Sequence, residues 1–145
     1  MIEKNQNLNN PDQKNIEVAK DLNKFIEELK TEKESRVNRD VARLADYLKG
    51  FGLETSNFDY MRIRLIASQV FDEIVGRLEE KAKQALISGE EIKYSGPDHF
   101  SLYRETQYRY FLQEFGIYPD ELSGMKDGKK LGQYLAKLKE EKNNI

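Results

Sequence analysis

Hydrophobic residues recur at every third or fourth position along most of this chain, which is the spacing of amphipathic α-helices. A first apolar row consists of Ile16, Ala19, Leu22, Ile26 and Leu29. A second row consists of Val37, Val41, Leu44, Ala45 and Leu48. Gly50 and Gly52 follow the second row directly, and glycine is favoured where helices end. The pattern therefore predicts helical structure from about residue 11 to residue 50, and it leaves open whether this is one helix or two.

The pattern next predicts the longest helix of the chain, which begins at Thr55 or Ser56 and runs to about Ile87. Ser56 suits the N-cap position, and Asp59 falls in the first turn, where a carboxylate is favourable. A helix of some 30 residues is a rod of roughly 45 Å at 1.5 Å per residue. Its main apolar face consists of Tyr60, Ile63, Ala67, Val70, Phe71, Ile74, Val75, Leu78, Ala82 and Ala85.

A loop or small hairpin is predicted after this helix, where Gly89 suits a helix end and the sequence "EEIKY" suits a short extended piece. An aromatic helix follows over residues 97–115. One broad face of it carries Phe100, Tyr103, Tyr108, Phe111 and Phe115. Gly116 fits the left-handed position that ends a helix, and Pro119 prevents its continuation.

Five apolar residues lie away from these main faces. Phe58, Met61 and Leu65 form a second patch near the start of the long helix, so we expect that end to be covered on two sides, with residues 36–50 as the neighbour. Leu102 and Leu112 lie on the far side of the aromatic helix, where packing against the long helix alone leaves them exposed. A neighbouring subunit is one way to cover them.

These segments together predict an all-α fold, an antiparallel helical hairpin built on one long central helix with a short loop or hairpin insert. Residues 1–10 are polar and predicted to be a mobile tail, and residues 11–35 an N-terminal amphipathic helix. Residues 36–122 form the predicted helical core and oligomerisation domain. Residues 123–145 are predicted to be a basic tail or a peripheral helix, because six lysines there surround a short apolar row.

Composition limits the cellular compartment and the kinds of binding site that we expect for this chain. The chain has 145 residues, a net charge of −2 and no cysteine, so disulfides and zinc–thiolate sites are excluded. The N-terminus lacks the apolar core of a signal peptide, and no segment approaches the ~20 apolar residues of a membrane span. We therefore expect a soluble intracellular protein without membrane contact.

No catalytic constellation is visible in the sequence. The single histidine, His99, has no nucleophile or carboxylate motif around it, and metal-binding motifs are missing. The stretch "GMKDGKKL" has three residues between its glycines where a phosphate-binding loop needs four, and no Ser or Thr follows its lysines. The sequence therefore predicts a protein that is not an enzyme and needs no cofactor or metal.

Two basic regions are candidates for contact with DNA. Arg36, Arg39 and Arg43 lie on one helical face and can present guanidinium groups to successive phosphates. The alternative is a solvated face that nearby aspartates balance. The C-terminal lysines form a second, less specific patch, represented by Lys126, Lys129 and Lys130.

The aromatic helix offers a further reading. In the sequence "LYRETQYRYF", Arg104 and Arg109 alternate with aromatic residues, so this stretch can in principle stack on bases. The simpler interpretation is core packing, with Arg104 either paired with an acid or stacked on a ring.

Residues 36–122 resemble one family of tailed-bacteriophage terminase small subunits. The carrying motifs are the turn "FGLET" at residues 51–55, Asp59 at the start of a long helix, a glycine-bounded loop at residues 89–96, and "FGIYP" at residues 115–119. In the family, the motif that corresponds to residues 115–119 is Leu-Gly-Leu-Thr-Pro. The resemblance implies a non-enzymatic factor that marks the packaging start on double-stranded viral DNA in the bacterial host cytoplasm, forms a ring-like homo-oligomer and recruits the large terminase subunit.

The resemblance and the apolar pattern together give a hypothesis for the roles of the segments. Helices between residues 56 and 115 build the oligomer, while residues 36–50 and the lysine-rich tail face DNA. The expected oligomerisation residues are Tyr60, Ile63, Val70, Phe71, Ile74, Leu78, Leu102 and Leu112. The alternative function is a helical adaptor or inhibitor of a mobile element that acts by protein–protein contact without touching DNA.

Overall fold

A computed structural model describes residues 13–88, 101–125 and 127–143, and this part of the chain is all-helical. Helix α1 spans Gln13–Lys49, α2 spans Asn57–Ile87, α3 spans Leu102–Phe115 and α4 spans Gly128–Asn143. A short 3-10 helix, Pro119–Leu122, lies between α3 and α4. The predicted all-α class is confirmed. The predicted loop or hairpin insert, His99 and Lys126 lie outside the described residues.

The first two apolar rows belong to one continuous helix. Helix α1 has 37 residues and is longer than α2, which has 31, so the prediction that the helix starting near Ser56 is the longest was wrong. The segment that joins the two rows, residues 30–36, reads "KTEKESR" and contains neither glycine nor proline. Because Lys, Glu and Arg are good helix formers, nothing in this segment ends the helix.

Helices α1 and α3 end at glycines in the left-handed conformation, as the sequence predicts. Gly52 has a φ of 82°, and the backbone N–H groups of Gly52 and Leu53 donate to the carbonyls of Lys49 and Leu48 at 2.9 and 3.2 Å. This is the Schellman pattern. Gly116 has a φ of 74° and donates to the carbonyls near the end of α3. Two short local signals therefore fix where these helices stop.

Helix α2 begins with a reciprocal cap between Ser56 and Asp59. The Asp59 N–H donates to Ser56 Oγ at 3.1 Å, and the Ser56 N–H donates to Asp59 Oδ2 at 3.0 Å. The Ser56 hydroxyl also donates to Asp59 Oδ2, at 2.8 Å. Backbone N–H groups at a helix start lack partners within the helix, so these bonds stabilise the first turn. The predicted cap is confirmed.

The described residues divide into two compact units, of which the first contains residues 13–33 and 71–88. Lys33 Nζ lies 2.9 Å from Asp72 Oδ1, and Lys30 Nζ lies 3.5 Å from Glu79 Oε2. The residue numbers fall on α1 as they rise on α2, so the two helical segments run antiparallel within this unit. Its buried apolar residues are Ala19, Leu22, Ile26, Leu29, Phe71, Ile74, Val75, Ala82 and Ala85.

The second unit contains residues 34–70, 101–125 and 127–143, and three buried aromatic residues of α3 pack among the aliphatic residues of its core. The rings of Phe111 and Phe115 are 5.1 Å apart, and Tyr47 from α1 meets Phe111 edge-on at 6.0 Å. Tyr110 is fully buried, although the aromatic face predicted from the sequence did not include it. Leu102 is buried as well, so the expectation that it is exposed in the single chain was wrong.

Helix α4 is held against the rest of the second unit by apolar and polar contacts. Leu131 and Leu135 are buried. Lys142 Nζ donates to the Leu112 carbonyl at 2.8 Å. Gly132 lies so close to the turn after α1 that a Cβ at this position would be 1.9 Å from the Phe51 carbonyl oxygen. Of the two predicted forms of this region, a tail or a helix, the structure shows a packed helix.

Candidate interaction surfaces

The three arginines of the first DNA-binding candidate surround a buried carboxylate on α1. Arg39 and Arg43 are exposed and Arg36 is half-buried, while Asp40 between them is only 8% exposed. The Arg43 guanidinium lies 4.0 Å from the centre of the Tyr103 ring, a cation–π contact that fixes its position. We call Arg36, Arg39 and Arg43 the arginine face.

Asp40 and the arginine face influence each other electrostatically. Burial raises the pKa of Asp40 above its usual value of 3.8, while the positive charges of Arg43, Arg39 and Arg36 act in the opposite direction. The carboxylate is therefore near enough to each arginine to offset part of the positive field that the face presents. The sequence indicates that an aspartate is nearby, but not that it is buried.

The C-terminal lysines differ from the arginine face in their surroundings. The side chains of Lys129 and Lys130 are exposed at the start of α4, and the carboxylate of Asp127 accepts hydrogen bonds from both of their backbone N–H groups. Lys139 instead forms an ion pair with Asp59 at 2.9 Å. Only part of the predicted lysine patch is therefore directed to solvent.

Most residues predicted to join subunits are buried within the single chain. Ile63, Val70, Phe71, Ile74 and Leu102 have at most 7% of their surface exposed. They are core residues, because the chain itself removes them from water, and their assignment to a surface between subunits needs this correction. Of the remaining three, Tyr60 and Leu78 are half-buried and Leu112 is exposed.

The structure exposes a different apolar surface at the start of α2. Phe58, Met61 and Leu65 are 63%, 68% and 59% exposed and follow one another at steps of three and four residues, so they form one row along the helix. We call them the apolar row. The expectation that this end of the helix is covered on two sides was therefore wrong.

Polar groups on α2 hold the edges of the apolar row in place. The Arg62 guanidinium lies 5.5 Å from the centre of the Phe58 ring and forms an ion pair with the buried Glu114 of α3. Arg64 donates a hydrogen bond to Asn38 of α1. The apolar row therefore lies on a helix whose neighbouring side chains, Arg62 and Arg64, already bind other residues of the second unit.

A buried polar cluster in the second unit consists of Tyr110, Asp59 and Glu114. Burial, together with the charges of Asp59 and Glu114, raises the pKa of Tyr110 far above its usual value, so its phenol stays neutral. Asp59 is paired with Lys139 and Ser56, and Glu114 is paired with Arg62. Since both carboxylates are engaged, the cluster is suited to holding helices together.

Arg104, for which the sequence allowed an ion pair or ring stacking, is stacked. It is exposed, and its guanidinium lies 5.6 Å from the centre of the Tyr108 ring one turn along α3. Arg109 is half-buried on the same helix. Arg104 is therefore more accessible to a ligand than Arg109.

Within residues 13–88, 101–125 and 127–143, no three acidic or histidine side chains come together in a way that could hold a metal ion. None of the described helices has a stretch long and apolar enough to cross a lipid bilayer.

The chain matches no protein-family model, no curated protein and no solved structure.

Proposed function

We propose that this protein is a non-enzymatic DNA-packaging factor of the terminase small-subunit type. In the host cytoplasm it would assemble into a ring-like homo-oligomer, bind the packaging start site on double-stranded viral DNA and recruit the large terminase subunit. The observation that carries the proposal is the apolar row. Exposed apolar patches on soluble domains mark interaction surfaces, and three large side chains in one row are unfavourable in water unless a partner covers them.

The arginine face supports the DNA part of the proposal. Arg39 and Arg43 are exposed one helical turn apart, so both can approach phosphates of one DNA backbone. Three arginines whose charge Asp40 partly offsets give weak binding for each chain. Assembly through the apolar row would repeat the face, and weak binding sites that are linked together benefit strongly from effective concentration.

The assembly step is tested with Met61→Asp. Light scattering after size exclusion should show an oligomer for the wild-type chain and a smaller species for this variant, because a buried carboxylate at the centre of an apolar interface is costly. Ile87→Asp is the matched control, since Ile87 is also 68% exposed and lies on the same helix. A monomeric wild-type chain, or equal effects of both variants, would contradict assembly through the apolar row.

The DNA step is tested by changing the arginine face to alanine and measuring duplex binding over a range of salt concentrations. The salt slope should decrease by about 0.9 for every phosphate that the variant no longer neutralises. The control changes the exposed lysines Lys20, Lys24 and Lys83 to alanine, which removes the same charge elsewhere. Equal losses of affinity in both variants would show that net charge alone, rather than this face, binds DNA.

A helical adaptor that acts only by protein–protein contact is the second candidate. The observation that favours it is Asp40, because a buried carboxylate beneath the arginine face weakens the attraction for DNA. The two candidates differ in one measurement. A chain that associates through the apolar row but shows no salt-dependent binding to duplex DNA would be an adaptor.

A further inference from the structure

A surface hollow within the second unit is not used by the proposed function. Its volume is about 530 Å³, which is within the range of small-molecule sites. Tyr47 and Phe51, at the end of α1 and in the turn after it, line one side. Arg104, Gln107 and Tyr108 of α3 line another, and Asp120 of the 3-10 helix contributes a carboxylate.

The first side of the hollow is aromatic and well fixed. The rings of Tyr47 and Phe51 are 4.8 Å apart and meet edge to face at 75°. Tyr47 also packs against the buried Phe111, so its ring is held from behind. Burial raises the pKa of Tyr47 above its usual value of 10.0, so its hydroxyl, already neutral at pH 7, stays protonated at higher pH as well. Because the two rings are nearly perpendicular, a planar ligand ring can stack on one of them while it meets the edge of the other.

The second side carries a positive charge that the ligand can reach. Among the described residues the partner of the exposed Arg104 guanidinium is the Tyr108 ring, and no carboxylate pairs with it. The Tyr108 hydroxyl donates a hydrogen bond to Asp120, which orients the ring on which Arg104 lies. A guanidinium held in this way is suited to a phosphate, because its donors match the oxygen geometry.

The surroundings of Arg104 restrict where an anion can bind. Arg104 also lines an adjoining hollow, together with Ser101, Arg109 and Glu105. Each hollow contains one carboxylate that repels an anion, Glu105 in the adjoining hollow and Asp120 in the larger one. Of the two, it is the larger hollow that has the aromatic rings of Tyr47 and Phe51 as well as Arg104, so it can take a planar ring and a phosphate together.

From this geometry we infer that the hollow binds a nucleotide, with the base against Tyr47 and Phe51 and the phosphate at Arg104. The side-chain amide of Gln107 both donates and accepts hydrogen bonds, as the edge of a base requires. The nucleotide has two possible sources, a free mononucleotide or an unstacked nucleotide within a single strand of DNA.

Isothermal titration calorimetry with four probes tests this inference: adenosine monophosphate, adenosine, inorganic phosphate and a twelve-nucleotide single strand. The intact chain should bind adenosine monophosphate more tightly than it binds adenosine or phosphate. Arg104→Gln should weaken the binding of adenosine monophosphate about tenfold or more, because it removes a charge-assisted hydrogen bond. It should change the binding of adenosine little. Tyr47→Ala should weaken both.

Lys83→Gln is the matched control, because it removes the same positive charge from an exposed site in the first unit and should leave mononucleotide binding unchanged. If the wild-type chain binds the single strand but not the mononucleotide, and Arg104→Gln no longer binds the single strand, the hollow binds a nucleotide within a DNA strand. If neither probe binds, or if binding does not depend on Arg104, the inference is overturned. The duplex experiment on the arginine face does not involve this hollow, so the two proposals can fail separately.

Discussion

The ammonium group of Lys139 lies 2.9 Å from Oδ1 of Asp59, a residue 80 positions earlier in the chain. The other carboxylate oxygen of Asp59 accepts hydrogen bonds from the backbone and side chain of Ser56. One carboxylate therefore caps the start of α2 and holds α4 in place. Two helices that are far apart in sequence depend on it.

Lys139→Met should lower the free energy of unfolding by about 1–2 kcal/mol, because it removes a charged hydrogen bond to a nearly buried carboxylate while keeping the apolar stem. Urea unfolding followed by circular dichroism measures this change. Lys137→Met is the control, since Lys137 is exposed on the same helix and should change the stability by less than about 0.5 kcal/mol. Equal effects would mean that the ion pair contributes nothing.

Asp59 should also make the protein sensitive to acid. Burial alone would raise the pKa of Asp59, but hydrogen bonds from Lys139 and Ser56 and the charge of Lys139 together lower it below 3.8. The folded state then binds this proton less readily than the unfolded state. The stabilisation is complete above the unfolded value and is lost as the pH falls through the lower folded value. The urea concentration at the unfolding midpoint should therefore decrease as the pH falls below about 4, and it should decrease less steeply in Asp59→Asn. Parallel pH profiles would contradict this assignment.

Asp40 should have the opposite pH dependence. Its pKa is raised by burial, against the effect of the three arginines, so the folded state favours the protonated form. The ionised carboxylate therefore lowers stability at neutral pH, and this cost decreases as the pH falls toward 3.8. Asp40→Asn should unfold at a slightly higher urea concentration than wild type at pH 7, with a difference that disappears in acid. Asp46→Asn, at an exposed site on the same helix, should show no such difference.

The sequence predicts helix ends in this protein better than helix partners. The cap at Ser56 and the stops at Gly52 and Gly116 depend on residues within one turn, so local signals suffice. The burial of Leu102 and the exposure of Met61 depend on which distant elements pack nearby, and spacing along one helix does not contain that information.

For the candidate surfaces too, the sequence predicts what helical geometry determines and not what tertiary packing determines. Arg36, Arg39 and Arg43 were placed on one face correctly, because helical geometry alone determines it. The burial of Asp40 and the pairing of Lys139 with Asp59 were not predictable, since both result from tertiary packing. The hollow beside Arg104 is formed by residues from four separate segments, which no local pattern brings together.

Gly132→Ala should destabilise the protein by about 1–3 kcal/mol. The new methyl group would overlap the Phe51 carbonyl oxygen, so the backbone would have to move. Gly76→Ala is the matched control on α2. A Cβ at Gly76 meets nothing within 4 Å, so this change should stabilise the helix by about 0.5–1 kcal/mol. Thermal unfolding of both variants measures the contrast. A neutral Gly132→Ala would show that α4 does not lie this close to the turn.

The close fit of α4 against the turn at Phe51 has a practical consequence for deletion experiments. Removing residues 128–145 looks like a simple way to delete the C-terminal lysines, but it would also uncover the turn, leave Asp59 without Lys139 and expose the surface that Leu131 and Leu135 cover. A loss of DNA binding in such a shortened chain would not distinguish missing charge from a damaged fold. Single neutral replacements at Lys129 and Lys130 separate the two effects.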